Sequence, residues 1–186
     1  MNTSLLSSIN LIFRSPRERP AGAIRYTIGR TIFGPVLVGH SGYGICAIFL
    51  DDTDAGLLNQ LSAAFPQREH VQAGEVLRSE LEQVISLVDT GKTSKVLNLD
   101  VGGTVFQQKV WTALQHIPAG QTRSYSDVAC EVGNPDAIRA VAGACAANVL
   151  AVAIPCHRVV RSDGAISGYR WGVERKRTLL EKESNR

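Results

Sequence analysis

The 186-residue sequence has no apolar run approaching the ~18–20 residues that a membrane-spanning helix requires. Its longest candidates, Ile45 to Leu50 and Leu150 to Ile154, are strand-sized, so a protein that crosses a membrane as a helix is excluded. It has only four cysteines, Cys46, Cys130, Cys145 and Cys156, and none stands in Cys-x-x-Cys or other metal-ligand spacing. That absence argues against a zinc site and against a small secreted domain held by disulfides. No basic segment precedes Leu5 and Leu6, so no export signal is expected. Residues 1–22 read as a flexible leader; Glu18 is the only acid in the first 30 residues, which leaves an organellar presequence as the minor alternative. The expected compartment is reducing: the cytoplasm of a bacterium, or the nucleus if the source is eukaryotic. With 44% apolar and 20% charged residues, disorder and fibrous repeats are excluded as well.

Net charge is only +3, but it is unevenly spread. Residues 1–103 carry 9 basic against 10 acidic side chains, and residues 104–186 carry 11 against 7. A basic C-terminal half is consistent with a nucleic-acid surface, although ordinary domains differ this much by chance. From Ala23 to Leu50 the pattern predicts a strand meander, with Gly29, Gly34, Gly39, Gly42 and Gly44 as turn residues. Asp54 is placed to cap a helix through Leu57, Leu58, Leu61 and Phe65; a second helix carries Val76 to Leu87, and Val96, Leu97 and Leu99 suggest a strand. This half holds no chemical motif: His40 and Cys46 are too scattered to make a metal site, and a core cysteine is the better reading.

The texture changes at Gly102-Gly103, where helical patterning begins. Thr104 with Gln107, and Ser124 with Asp127, have the form of capping boxes. Asn134-Pro135 is expected to cap and start a helix running to Ala147. Joined to the preceding helix through Gly133, it makes a helix-turn-helix plausible. Arg139, Ala142, Gly143 and Ala146 share one face of that helix with almost no side-chain bulk, which suits close approach either to a neighbouring helix or to a nucleic-acid groove.

Leu150 to Ile154 reads as a buried strand running into Pro155-Cys156-His157-Arg158-Val159. Proline cannot donate to a sheet ladder, so Cys156 is expected at a sheet end facing a cleft. His157 and Arg158 would then lower its thiol pKa and supply thiolate at neutral pH. His157 need not touch Cys156, and a bridging water is natural. Taken alone, a buried Cys beside a His is more often structural. Two other readings compete: a helix-turn-helix regulator or lesion-recognition protein without chemistry, and a cysteine hydrolase, for which no oxyanion motif is evident.

Pro155 to Val159, with Ser124-Tyr125, Arg139-Ala140-Val141, Asn148, Ala144 to Asn148 and Ser167 to Gly172, resembles the O6-alkylguanine-DNA alkyltransferases. The likeness is to the Ada-type C-terminal domain in particular, and it covers residues 104–183 in detail. It implies an α+β protein with a small ribonuclease-H-like domain at 23–101. A mainly helical, winged-helix-like domain with a helix-turn-helix follows at 102–186. The activity it implies is single-turnover repair: an alkyl group on O6 of guanine or O4 of thymine, in a flipped nucleotide, passes irreversibly to Cys156. A relay of Cys156, water, His157 and Glu183 is implied, with Tyr125 beside the base and Asn148 as a hinge. Arg139 would be the finger that fills the vacated stack, with Ala142, Gly143, Ala146, Ser126 and Ser162 against duplex DNA in the minor groove. Val159, Ser167, Tyr169 and Arg170 would wall the base pocket, where Arg170 and Trp171 replace smaller residues and limit bulky adducts. Arg123, Arg158, Arg161 and Lys176 are expected to contact phosphates. No cofactor, no metal and a monomer are expected. The cysteine-clustered module of full Ada-type proteins has no counterpart before Cys46, consistent with either a stand-alone alkyltransferase or a fragment of a longer protein.

Overall fold

The computed structural model describes residues 8–16 and 18–185; Leu5 and Leu6 lie outside them. The fold is mixed α/β, with six helices and a mixed six-stranded sheet among the described residues. It divides into two compact units, Met1–Gly102 and Gly103–Arg186. No helix among the described residues is long and apolar enough to cross a membrane.

In the first unit, β1 (Ile9–Phe13), β2 (Ile24–Thr31), β3 (Gly34–His40), β4 (Ile45–Leu50), β5 (His70–Gln72) and β6 (Leu97–Val101) form one sheet in the order β1-β6-β4-β3-β2-β5. The meander β2-β3-β4 is antiparallel, while β6 runs parallel to β1 and β4, and β5 parallel to β2. Every residue of β4 is buried, which is why it reads as an unbroken apolar run rather than an alternation. Helix α1 (Asp54–Ala64) packs on β3 and β4, and α2 (Arg78–Thr90) on β2 and β3. The α1 cap is Thr53, whose hydroxyl accepts from the Gly56 N–H at 3.0 Å, and not Asp54, which is the first helical residue.

Two further expectations fail here. Residues 9–13 of the presumed leader are strand β1, paired with β6 through Asn10 and Asn98, 88 residues apart, and tied by the 2.9 Å ion pair from Arg14 to Asp100. Gly29 and Gly39 are not turn residues but lie inside β2 and β3. At Gly29 a Cβ would meet Leu81 Cδ1 at 2.9 Å, so glycine there lets α2 sit directly on the sheet.

The second unit contains α3 (Val105–Gln115), β7 (Arg123–Ser124), α4 (Tyr125–Glu131), α5 (Ile138–Ala147), β8 (Val159–Val160) and α6 (Val173–Ser184). Both expected capping boxes are complete, Thr104/Gln107 on α3 and Ser124/Asp127 on α4. Helices α3, α4 and α5 pack on one another around Val110, Leu114, Val128 and Val141, and β7 pairs in parallel with β8. Helix α5 starts at Ile138 rather than Pro135. Asn134 is used to finish α4, its N–H closing on the Ala129 carbonyl at 2.9 Å, and its own carbonyl receives the Ala137 N–H in a turn.

Leu150 to Ile154 is a buried chain of turns, not a strand. The Ile154 N–H returns to the Leu150 carbonyl at 3.0 Å, and Asn148 Oδ1 accepts the Leu150 N–H at 2.8 Å. This fold-back holds Val152 at φ 64°, a left-handed conformation unusual for a β-branched residue.

Candidate active site

The fold-back sets Cys156 at the first position of a 3₁₀ turn, Cys156–Arg158, rather than at a sheet end. Asn148, the C-cap of α5, is the organising side chain. Its Nδ2 donates to the Ile154 carbonyl at 3.0 Å and to Cys156 Sγ at 3.2 Å, while its Oδ1 holds Leu150. One buried amide thus fixes both the strained loop and the sulfur.

His157 is fully buried and its Nε2 lies 2.9 Å from Glu183 Oε1 on α6. The other ring nitrogen, Nδ1, has no hydrogen-bond partner in the protein, and neither does the buried hydroxyl of Tyr169. Glu183 is held from a second side by Arg158, whose Nε and Nη2 donate to its two oxygens at 3.0 and 2.9 Å. Arg158 Nη1 also donates to the Ile117 carbonyl at 2.7 Å. Burial opposes ionisation of Glu183, yet the hydrogen bonds and charges of His157 and Arg158 together outweigh it and hold its carboxyl at about 2. Burial lowers the His157 pKa despite Glu183, leaving a neutral imidazole able to accept a proton.

Cys156 opens onto a cavity of about 480 Å³. Tyr125, Ser167, Tyr169 and Arg170 line it, and so do Ala142 and Ala146 of α5. Tyr125 Oη shares a 2.7 Å hydrogen bond with Ser167 Oγ, and Tyr169 packs edge-on against Trp171, with ring centroids 5.2 Å apart. Two expected wall residues take other positions. Val159 is fully buried in β8, outside the lining, and Trp171 is buried, also outside the lining, with its ring edge-on to Tyr169.

Arg139, Gly143 and Ala146 are exposed on α5, with Ala142 half-buried among them. Ser126 is half-buried and shares a hydrogen bond with Ser124, while Ser162 is exposed after β8. Among the expected phosphate contacts, Arg123 and Arg161 are exposed, but Arg158 and Lys176 face inward. Lys176 is 1% exposed, and its Nζ donates to the Val159 carbonyl at 2.6 Å. The spacing of Lys176, Leu179 and Glu183 on α6 already places that lysine on the buried face. Cys145 also lines the cavity, one helical turn beyond Ala142, and was not singled out from the sequence.

The electrostatics of the thiol differ from expectation. Burial pushes Cys156 up to about 11, against the downward pull of the Asn148 hydrogen bond and the Lys176 and Arg170 charges; His157 and Arg158 are not what acts on it. The resting sulfur is therefore a buried thiol with a neutral base next in sequence. Among the described residues no three His, Cys, Asp or Glu side chains gather where they could hold a metal ion.

The family model for 6-O-methylguanine DNA methyltransferase, DNA binding domain, matches residues 105–185. The chain is 49% identical over 162 residues to the bifunctional transcriptional activator/DNA repair enzyme Ada of Escherichia coli, covering 87% of this chain and 46% of that protein. It is 34% identical over 158 residues to the inducible methylated-DNA–protein-cysteine methyltransferase of Bacillus subtilis, covering 85% of this chain and 83% of that protein. The crystal structure of Mycobacterium tuberculosis OGT in complex with DNA superposes with a TM-score of 0.71 at 31% identity, covering 87% of this chain and 93% of that one. The chain spans about half the length of the Ada proteins of Escherichia coli and Salmonella typhimurium, 46% of each.

Proposed function

The chain belongs to the methylated-DNA–protein-cysteine methyltransferase family, and on that premise we propose that it repairs alkylated DNA by moving the alkyl group to Cys156. The observation that carries this reading is the buried Cys156 at the cavity, with Asn148 donating to its sulfur and His157–Glu183 beside it. A regulator without chemistry would have no use for this arrangement.

The substrate is duplex DNA bearing O6-alkylguanine or O4-alkylthymine, met through its minor groove by a monomer. A helix-turn-helix formed by α4 and α5 presents the low-bulk α5 face, and the first unit is the ribonuclease-H-like half of the protein. Extruding the damaged nucleotide costs a few kcal/mol, offset by Arg139 filling the vacated stack. Sγ then attacks the alkyl carbon in line with the carbon–oxygen bond. The new S–C bond forms as the C–O bond breaks, and that electron pair departs with the base. The thiol proton passes through a water to neutral His157 Nδ1, and ionised Glu183 stabilises the resulting imidazolium. The departing base takes a proton in turn, with Tyr125 as donor or hydrogen-bond partner, so the net proton moves from sulfur to base. Nothing in the site can hydrolyse the thioether, so each molecule acts once.

Intact-mass measurement after incubation with an oligonucleotide carrying O6-methylguanine tests this. One methyl added per chain, mapped to Cys156, is the expected result; an unchanged mass, or a label elsewhere, sinks the proposal.

A further inference from the structure

Lys176 is the one lysine or arginine buried among the described residues, 1% exposed on α6. Its Nζ donates at 2.6 Å to the carbonyl of Val159, and the N–H of that same Val159 closes the turn Cys156–Arg158 on the Cys156 carbonyl. The lysine is thus tied to the turn that carries the nucleophile. No carboxylate among the described residues stands against it: the groups whose negative charge acts on its ammonium are the sulfurs of Cys156 and Cys145. Glu183, on the same buried face of α6, is already engaged by His157 and Arg158. A buried cation without a counter-ion is costly in a low-dielectric interior. The Val159 carbonyl meets one of its donors and leaves the charge itself unmatched.

We propose that the missing counter-ion is the Cys156 thiolate: Lys176 is the buried cation against which the sulfur ionises once its proton has left for His157. The proposal rests on the alkyl-transfer reading and deepens it, giving the anion a partner separate from the pair that takes the proton. The other ionisable neighbours do not supply that charge. Burial keeps His157 neutral at rest, and it keeps the Tyr125 and Tyr169 hydroxyls and the Cys145 thiol protonated. Arg158 is neutralised by Glu183. Arg170, the other cation that acts on the sulfur, sits on an exposed residue at the cavity rim, where water and salt screen it. Lys176 also opposes the imidazolium, but there the hydrogen bond and charge of Glu183 outweigh it. Each half of the transient ion pair therefore has its own buried compensation, Lys176 for the sulfur and Glu183 for the ring.

The test follows methyl gain at Cys156 from methyl iodide, which forms the S–C bond with release of iodide and needs neither DNA nor a protonated base. A duplex containing one O6-methylguanine is run in parallel. The full chain is compared with Lys176→Met, which removes donor and charge, Lys176→Gln, which keeps a donor for Val159 without the charge, and Lys176→Arg, which keeps a charge. In the Met and Gln variants alike the methyl iodide rate should fall about tenfold throughout the range from about pH 7 to about pH 9, the equivalent of one pKa unit on the thiol. The duplex rate should fall with it, while duplex affinity and its salt dependence hold, since no phosphate contact is lost. Lys176→Arg should recover part of the rate, and it keeps the test decisive where urea denaturation shows a neutral variant to fold poorly. A purely structural lysine predicts the opposite sign: a loosened site brings the thiol down towards its ordinary ~8.5, and methyl iodide then reacts faster. That acceleration in a folded variant, or a Lys176→Gln rate equal to wild type, would overturn the proposal. If wild type takes methyl from methyl iodide but none from the duplex, the alkyl-transfer reading falls, and the methyl iodide ratios still judge the lysine. If it reacts with both and the folded neutral variants keep the wild-type methyl iodide rate, only this inference falls.

Discussion

The two units bury polar groups to opposite ends. In the first, Asp100 is 1% exposed and fully engaged, paired with Arg14 at 2.9 Å and accepting from the Ser41 hydroxyl, so one carboxylate ties the end of β1 and the β3–β4 turn to β6. Cys46 in the same unit is pushed up to about 12, chiefly by burial, and is core filling. In the second unit Cys156 is just as enclosed, yet a hydrogen-bond donor and two cations act on it, while His157 Nδ1 and Tyr169 Oη lie buried without partners. An unpaired buried group costs about 1–3 kcal/mol, and a residue such as Val152 in the left-handed region a comparable amount. Burial by itself makes a cysteine inert. Cys46 also feels a charge pair, Asp100 and Arg14; what separates the nucleophile from the packing thiol is the Asn148 donor on its sulfur and the cavity it lines.

The sharpest way to break that comparison is to truncate both thiols. Cys156→Ala should abolish methyl gain entirely while duplex binding persists. Cys46→Ala should transfer at the wild-type rate and lose about 1 kcal/mol of stability from the small cavity left in the sheet core. Intact mass and urea denaturation on the same samples read both outcomes, and residual transfer in Cys156→Ala would end the distinction. Next in size, Glu183→Gln should slow transfer by ~10²-fold, the usual scale for a lost acid–base partner. It should also destabilise the fold by roughly 3 kcal/mol, because Arg158 is left buried and uncompensated. The sign of the pH effect follows from the depressed carboxyl. With a folded value of about 2 against an ordinary ~4.3, the stabilisation from Glu183 is complete above the ordinary value. It drains away as pH falls through 4 towards 2. Wild type should therefore lose stability over that acid window, and Glu183→Gln should lack this part of the loss.

A smaller effect, of opposite sign in stability and activity, is expected at Tyr169. Burial raises its hydroxyl well above the usual tyrosine range, so it remains a neutral donor at any working pH. Tyr169→Phe keeps the ring against Trp171 and His157 and removes only the unpaired hydroxyl. The variant should be about 1 kcal/mol more stable in denaturant and several-fold slower in transfer. More stability with unchanged transfer would mean that the orphaned hydroxyl is a packing imperfection, and the contrast between the units would narrow to Cys156 itself.

How far this was legible in the sequence depends on how local the cause was. Capping boxes are three residues long and were read correctly, as was the β2-β3-β4 meander, whose register is set by short turns. Strand β1 was missed because its partner β6 lies 88 residues away and Ile9 to Phe13 does not alternate. The start of α5 was misplaced because Asn134 serves the helix before it, a choice made by the Ala129 carbonyl and not by the Asn-Pro pair. Leu150 to Ile154 reads as a strand because periodicity cannot separate a buried strand from buried turns; what decides is the Asn148 side chain bonded to both ends of the run. The motif around Cys156 points to the sulfur and the imidazole, while Glu183, 26 residues on, comes only from the family resemblance and is brought to His157 by α6. The motif misassigned the source of charge on the thiol, because Lys176 reaches the site only through the folding of α6.

The smallest effect separates two glycines that look alike in the sequence. At Gly29 a Cβ would meet Leu81 Cδ1 at 2.9 Å and Ile85 Cδ1 at 3.0 Å, so alanine there must displace the ends of those two side chains between α2 and the sheet, and should bring the first unit no gain in stability. At Gly143, inside α5, a Cβ would meet nothing within 4 Å. Glycine in a helix interior costs about 0.5–1 kcal/mol relative to alanine, and no internal contact requires it here. Gly143→Ala should accordingly gain that amount in urea denaturation. If the open face of α5 is where a duplex lies, the added methyl must cost affinity, seen as weaker binding to undamaged DNA at fixed salt with the salt slope unchanged, since no phosphate contact is lost. A variant both more stable and equally tight on DNA would mean that the flat face of α5 serves no close approach, and that the cavity is entered from elsewhere.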